Sequence, residues 1–120
     1  MDIVQTLQKE LEQIDNVEFG YLFGSYAKGR QTQNSDIDIA LYLKDSSLDN
    51  ILQINYILSK KLNIQTDILI LNSAKNLFLL DSVFRDGIIV KDSPIRIDYE
   101  LKKEHLILDY KAFKKSLNVA

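Results

Sequence analysis

The sequence predicts an α+β or α/β fold in which a central β-sheet carries helices. Segments with apolar residues at helical spacing alternate along the chain with short apolar runs rich in β-branched and aromatic residues. Turn-forming and capping residues separate one segment from the next. With 120 residues, 46% of them hydrophobic, the chain has the length and the core material of one domain. We therefore predict a single domain over residues 1–120.

The first third of the chain predicts a helix, a strand and a second, short helix. Apolar residues recur at helical spacing over residues 4–14, which indicates an amphipathic helix. Val17–Phe23 is a short apolar and aromatic run, typical of a strand. Gly24 ends this strand, and Ser25 can cap a short helix that begins at Tyr26.

The middle of the chain predicts a strand, a helix and another strand. Ile37–Leu43 is again short and apolar, so it forms the second strand. Leu48–Leu62 repeats apolar residues along one side, which predicts a helix with Asn63 as its C-cap. Residues 65–71 form the third strand, and this strand carries one acidic residue, Asp67, in an apolar setting.

The last part of the chain predicts a helix, a short strand and a final helix. Residues 74–85 have helical spacing, and Asn72 and Ser73 can cap their start. We expect Gly87 to end this helix in a left-handed conformation and residues 87–90 to be extended. Pro94 suits the first turn of the final helix. Four apolar residues of that helix follow helical spacing: Leu106, Tyr110, Phe113 and Leu117.

Composition excludes several classes of protein. A net charge of −2 argues against a stand-alone nucleic-acid-binding protein, which normally carries a strongly basic surface. The chain has no cysteine, so a disulfide framework and a thiolate metal site are both excluded. We find no signal-peptide pattern at the start and no apolar run of membrane-spanning length. These features predict a cytoplasmic protein that contacts neither nucleic acid nor membrane.

Three aspartates are candidate metal ligands. Asp36 and Asp38 stand two residues apart where the second strand begins, so their side chains share a face. Such a pair repels unless a cation lies between its members, and carboxylate oxygens suit Mg²⁺; otherwise they are simply exposed acids. If the third strand lies beside the second, Asp67 joins them and can bind metal or accept a proton. If it does not, Asp67 is an exposed edge-strand residue.

The residues before these acids form a candidate phosphate-binding loop. Gly24 and Ser25 follow an apolar strand, and the backbone N–H groups and hydroxyl of such a turn can bind phosphate oxygens. Lys28 and Arg30 lie between this turn and the acids, where they can neutralise a triphosphate. The alternatives are plain capping by Ser25 and two solvated basic residues. The stretch matches neither the Walker pattern nor the dinucleotide-binding glycine pattern.

The spacing of these motifs resembles a known family. A Gly-Ser pair, ten further residues and Asp-x-Asp resemble the signature of the polymerase-β-type nucleotidyltransferase superfamily. The size and flanking sequence are similar to its smallest members, the minimal nucleotidyltransferases, which include MntA-like antitoxins. Lys28 stands where the family pattern usually has arginine. Asp67 in Thr-Asp-Ile-Leu resembles the residue on the family's third carboxylate strand.

This resemblance implies a small mixed sheet flanked by helices and transfer of a nucleoside monophosphate from a triphosphate to a hydroxyl. It implies that Asp36, Asp38 and Asp67 hold two Mg²⁺ ions and that Gly24 and Ser25 bind the β- and γ-phosphates. MntA-like members are encoded beside HEPN-domain ribonuclease toxins, which they neutralise by adenylylating a tyrosine with ATP. The expected function is therefore that of an antitoxin acting on a HEPN partner.

Two other functions stay open on the sequence. The chain can be a nucleotidyltransferase for small molecules, of the aminoglycoside-modifying sort, although 120 residues leave little room for a second substrate-binding domain. It can also be an antitoxin that blocks its toxin by binding alone. A template-directed polymerase is disfavoured by the chain's size and acidic character.

Overall fold

The structure, a computed structural model, describes residues 2–118. Residues 1, 119 and 120 lie outside this range, so the single domain over residues 1–120 stays a prediction. Helices and strands alternate along most of the described chain. In order, these elements are α1 (Ile3–Glu12), β1 (Val17–Phe23), β2 (Ile37–Leu43), α2 (Leu48–Leu62), β3 (Thr66–Ile70), α3 (Leu77–Asp86), β4 (Ile88–Lys91) and α4 (Pro94–Leu117).

The strands form one mixed sheet in the order β3-β2-β1-β4. β1 runs antiparallel to β2 and to β4, whereas β2 and β3 are parallel. The pairing places Phe23, the last residue of β1, opposite Asp38 of β2, and Asp38 opposite Asp67 of β3. The predicted α+β class, with a small mixed sheet flanked by helices, is confirmed.

Helices cover both faces of the sheet because side chains alternate between the faces along each strand. Ile37, Ile39 and Leu41 of β2 pack in one core with α1 and α2. Phe19 and Tyr21 of β1 pack in a second core with buried residues of α3 and α4. Asp38 alternates with the first set, so it lies on the face that α3 and α4 cover.

The loop after β1 differs from its prediction. No helix begins at Tyr26; residues 24–29 form consecutive turns instead. Gly24 and Gly29 both have positive φ angles, of 73° and 68°. Two left-handed residues five positions apart reverse the backbone before a helical turn can repeat, so the predicted short helix is wrong.

Helix α3 begins later than predicted. Its N-cap is Asn76, whose side chain accepts a hydrogen bond of 3.1 Å from Leu79 N, and its first residue is Leu77. The predicted cap residue Asn72 has another role, since its amide donates to Leu43 O at 2.8 Å and accepts from Leu43 N at 2.9 Å. Because this amide is already paired with the end of β2, the predicted cap at Asn72–Ser73 is wrong.

The residues that end the helices give one confirmed and one wrong prediction. Asn63 ends α2 in the left-handed conformation, with φ of 54°, as expected for a C-cap. Gly87 is extended instead, with φ of −73° and ψ of 155°, because β4 begins at the next residue. A glycine is still needed there, since a Cβ atom would overlap Val83 O.

A polar network fixes the long helix α4 to the sheet, and Ile107 is the helix's buried residue. Tyr21 donates a hydrogen bond to Glu100, and Arg96 contacts both Glu100 (3.0 Å) and Asp92 (2.6 Å). Burial and the Glu100 carboxylate raise the pKa of Tyr21 well above its usual value.

Within residues 2–118, no helix combines the length and apolar character that crossing a bilayer requires. The apolar residues noted at helical spacing are solvent-exposed: Leu106, Tyr110, Phe113 and Leu117.

Candidate active site

Two carboxylates meet at one edge of the sheet. Asp38 and Asp67 are directly paired on the parallel strands β2 and β3, so their side chains point to the same face, with backbones about 4.8 Å apart. Asp36 lies one residue before β2 begins and is exposed. The strand carrying Asp67 therefore lies beside the strand of Asp38, which meets the condition under which Asp67 joins the other two acids; its role stays a prediction.

The Gly-Ser turn packs directly against Asp38. A Cβ atom on Gly24 would overlap Asp38 Oδ2, so only glycine permits the loop to pass this close to the carboxylate. The turn is closed by two backbone hydrogen bonds, from Lys28 N to Gly24 O (3.3 Å) and from Arg30 N to Ser25 O (2.9 Å). The structure thus brings the candidate phosphate-binding turn and the candidate metal ligands together.

The two basic residues of the loop lie in different surroundings. Lys28 Nζ is 3.7 Å from Asp86 Oδ2, at the end of α3. Arg30 is exposed where the turn ends. Since the Lys28 side chain is 40% exposed, solvent screens its ion pair with Asp86, and the lysine can exchange this partner for another anion at little cost.

The surroundings of Asp38 perturb its carboxyl group. Its pKa is raised, first by burial and then by the neighbouring charges of Asp67 and Asp36. The folded chain therefore binds the Asp38 proton more tightly than the unfolded chain does. This contribution to stability is present at pH values below the ordinary pKa and is lost as pH rises through the raised pKa. At neutral pH the ionised Asp38 carboxylate therefore destabilises the folded chain.

The oxygen atoms of these carboxylates suit Mg²⁺, which prefers oxygen ligands. A cation would offset both the burial of the Asp38 charge and the repulsion from Asp67 and Asp36, the two causes of its raised pKa. Over residues 2–118, however, no three His, Cys, Asp or Glu side chains are already arranged so that they could hold a metal ion together. Of the three candidate ligands, Asp38 and Asp67 lie side by side, and exposed Asp36 precedes Asp38 by two residues in the sequence.

A groove of about 270 Å³ opens beside these carboxylates. Sequence reasoning missed it, because its walls come from four different elements, β1, β2, β3 and α3, and its apolar wall residues Phe23 and Leu79 belong to no motif. A larger, open cleft of about 560 Å³ contains none of the three candidate aspartates and runs along Gln8, Glu12 and β4. The residues around the smaller groove are Phe23, Asp38, Asp67, Ile68, Leu69 and Leu79.

The mixed sheet, with paired aspartates against a glycine turn, has the architecture of a small nucleotidyltransferase. Comparison with known proteins leads to the same class. The family model described as polymerase beta, nucleotidyltransferase, matches residues 5–96. The chain belongs to this family, and the resemblance predicted from its motifs is confirmed.

Individual relatives match between one third and nearly all of the chain. A protein of Methanocaldococcus jannaschii named as a candidate protein adenylyltransferase, MJ0126, is 34% identical over 90 residues, which cover 74% of this chain and 92% of that protein. Protein adenylyltransferase MntA of Shewanella oneidensis is 52% identical over 40 residues, or 33% of this chain and 28% of MntA. A chain from a crystal structure of a toxin–antitoxin with AMP-PNP has a TM-score of 0.74 and 29% identity, covering 95% of this chain and 94% of its own.

Proposed function

We propose that this protein is the antitoxin of a toxin–antitoxin pair and transfers AMP from ATP to a tyrosine hydroxyl of a HEPN-domain toxin. The observation that carries the proposal is that Asp38 and Asp67 lie side by side, and that Asp38 contacts a turn whose position 24 must be glycine. The names of the relatives support it, since MntA is named as a protein adenylyltransferase and MJ0126 as a candidate one. The match to a toxin–antitoxin structure with an ATP analogue supports it as well. We expect the reaction to occur in the cytoplasm, without direct contact to nucleic acid or membrane.

The loop binds the triphosphate in this proposal. N–H groups of the Gly24–Ser25 turn and the Ser25 hydroxyl donate to the β- and γ-phosphates. Lys28 exchanges Asp86 for a phosphate oxygen, and Arg30 adds a second positive charge beside the loop. Asp36, Asp38 and Asp67 would hold Mg²⁺, two ions in all, which when bound neutralises the triphosphate and the departing pyrophosphate.

The chemical step is an in-line displacement. The acceptor oxygen forms a bond to the α-phosphorus, and the bond from that phosphorus to the bridging oxygen breaks. Pyrophosphate leaves with the electron pair of the broken bond, and the hydroxyl proton passes to Asp67, at the outer side of the carboxylate pair. Positioning by the sheet and by the turn supplies most of the rate enhancement, because little covalent help is needed.

The test uses a HEPN-domain toxin, which is sought first among the reading frames that adjoin this gene. The two proteins are incubated with ATP and Mg²⁺, and the toxin is weighed by intact mass spectrometry. We expect the mass of one or more AMP groups on the toxin. Asp36→Asn combined with Asp38→Asn should abolish that gain, while Asp109→Asn, an exposed acid on α4, should not.

Other results would select the other functions. Inhibition of the toxin with no mass change would establish an antitoxin that acts by binding alone. Transfer of AMP to a small alcohol or an aminoglycoside, but never to the toxin, would indicate a small-molecule nucleotidyltransferase. Retention of transfer in the double aspartate variant would contradict the role of these residues.

A further inference from the structure

Asp86, the last residue of α3, contacts two cations, and the chemical step does not use it. One of its carboxylate oxygens, Oδ2, is 3.7 Å from Nζ of Lys28 in the phosphate-binding loop. The other, Oδ1, is 3.7 Å from Nε of Arg85, its neighbour on the same helix. The Asp86 carboxylate is therefore shared between a lysine inside the loop and an arginine outside it.

The backbone places Asp86 beside the loop independently of the ion pair. Ile88 of β4, which follows Asp86 closely in the chain, is paired with Leu22 near the end of β1. Gly87 between them lies so close to β1 that a Cβ atom there would be 3.3 Å from Leu22 O. Because these contacts fix Asp86 at the point where β1 enters the loop, Lys28 is the member of the pair that can move.

Asp86 keeps a cationic partner when Lys28 leaves, because Arg85 remains at its other oxygen. All three side chains are at least 36% exposed, so solvent screens both ion pairs and an exchange of partners costs little. Asp86 can therefore hold the Lys28 ammonium while the loop is empty and release it to an anion of higher charge. A triphosphate and a pyrophosphate are both anions of this kind.

We propose that Asp86 is a positioning residue that competes with phosphate for Lys28 and so limits how tightly the loop holds a triphosphate and pyrophosphate. This inference rests on the proposed function, in which Lys28 contacts a phosphate oxygen. Before the nucleotide binds, Asp86 keeps the Lys28 ammonium beside the loop. When pyrophosphate leaves, Asp86 takes the ammonium back, which favours release of this product. Such competition suits an enzyme, because tighter binding of substrate and product alike does not speed the chemical step.

The test measures the binding of AMP-PNP and of pyrophosphate to the whole protein by calorimetry, with Mg²⁺ present. Asp86→Asn keeps the shape of the side chain and removes its charge, so it should tighten both affinities about threefold, as expected for an exposed ion pair. The gain should shrink at high salt, which screens such pairs. The matched control is Asp81→Asn, which changes the net charge equally. Asp81 is on the same helix and also pairs with Arg85, at 3.4 Å, but lies more than one helical turn before Asp86.

A double variant decides whether Asp86 acts through Lys28. In a Lys28→Gln background, Asp86→Asn should change either affinity less than about 1.5-fold, because no ammonium remains to compete for. A threefold gain that persists in this background would mean that Asp86 repels the phosphates directly, and the proposal would be wrong. Unchanged or weaker binding by Asp86→Asn alone, or an equal gain in Asp81→Asn, would overturn it too. Failure of the wild type to bind either ligand would instead refute the proposed function, and the role of Asp86 with it.

Discussion

Gly24 meets two constraints at once. Its φ of 73° is in the left-handed region, and a Cβ atom would overlap the carboxylate of Asp38. We predict that Gly24→Ala destabilises the fold by about 1–2 kcal/mol through backbone strain. It should also lower AMP transfer about a hundredfold, because the clash displaces a carboxylate from the reacting centre. Urea denaturation and the mass assay measure these two effects separately.

Gly29 supplies the matched control for this prediction. It has nearly the same φ, 68°, but no atom lies within 4 Å of the position where its Cβ would be. Gly29→Ala should therefore cost about 1 kcal/mol of stability through strain alone and leave most of the transfer activity. Equal losses of activity in the two variants would contradict the role assigned to the contact between Gly24 and Asp38.

Residue roles divide into those that the local sequence reveals and those that depend on neighbours in space. The spacing of Asp36 and Asp38, and the Gly-Ser pair before them, could be recognised because strand geometry fixes which residues share a face. The position of Asp67 could only be stated conditionally, since a single strand does not specify its neighbour. The contact between Lys28 and Asp86, 3.7 Å apart, had no signal in the sequence.

Helix α3 shows how one capping residue positions several groups at the site. The helix contributes Leu79 to the groove and Asp86 to the ion pair with Lys28. We predict that Asn76→Ala lowers the free energy of unfolding by about 1 kcal/mol, because the cap bond to Leu79 N is lost. Ser47, the N-cap of α2, makes no side-chain cap bond. Ser47→Ala should therefore cost clearly less in the same urea denaturation experiment, and equal costs would contradict this account.

The start of α3 was mispredicted because two asparagines compete as caps. Asn72 and Asn76 both precede an apolar segment, and asparagine is a good N-cap residue. Asn72 instead bonds to the backbone of Leu43 on β2, 29 residues earlier. Gly87 is a similar case, since a glycine after a helix suits either a left-handed cap or an extended start to the next strand.

On the scale of the whole molecule, the polar network under α4 joins the last helix to the central strand β1. Arg96 is 16% exposed and bridges Glu100 and Asp92, while Glu100 also accepts from Tyr21. We predict that Arg96→Ala costs about 2 kcal/mol, because a partly buried carboxylate loses its charged partner. Arg85→Ala should cost less than about 1 kcal/mol, since Arg85 is 64% exposed and its pairs are on the surface.

Urea denaturation of the Arg96→Ala and Arg85→Ala variants, monitored by tyrosine fluorescence, checks this prediction. If the two variants lose equal stability, the network does not anchor α4. The network could not be foreseen, because Tyr21 and Arg96 are 75 residues apart and neither belongs to a motif. Helical spacing in α4 likewise predicted the helix but not its surroundings, as Leu106 and Phe113 are exposed.

The sequence by itself determined the class of fold, most of the strands and helices, and the motif that assigns the family. These follow from short-range rules: side chains alternate along a strand, apolar residues repeat along a helix, and a Gly-Ser turn precedes Asp-x-Asp at fixed spacing. Such features are written in neighbouring residues and need no knowledge of packing.

Only the tertiary structure decided which strands are neighbours, and with that the shape of the site. The order β3-β2-β1-β4 sets Asp67 beside Asp38, and the groove is formed by β1, β2 and β3 together with α3. Such pairings depend on which apolar faces bury one another across the whole chain, a global balance of burial against chain entropy that no local pattern contains.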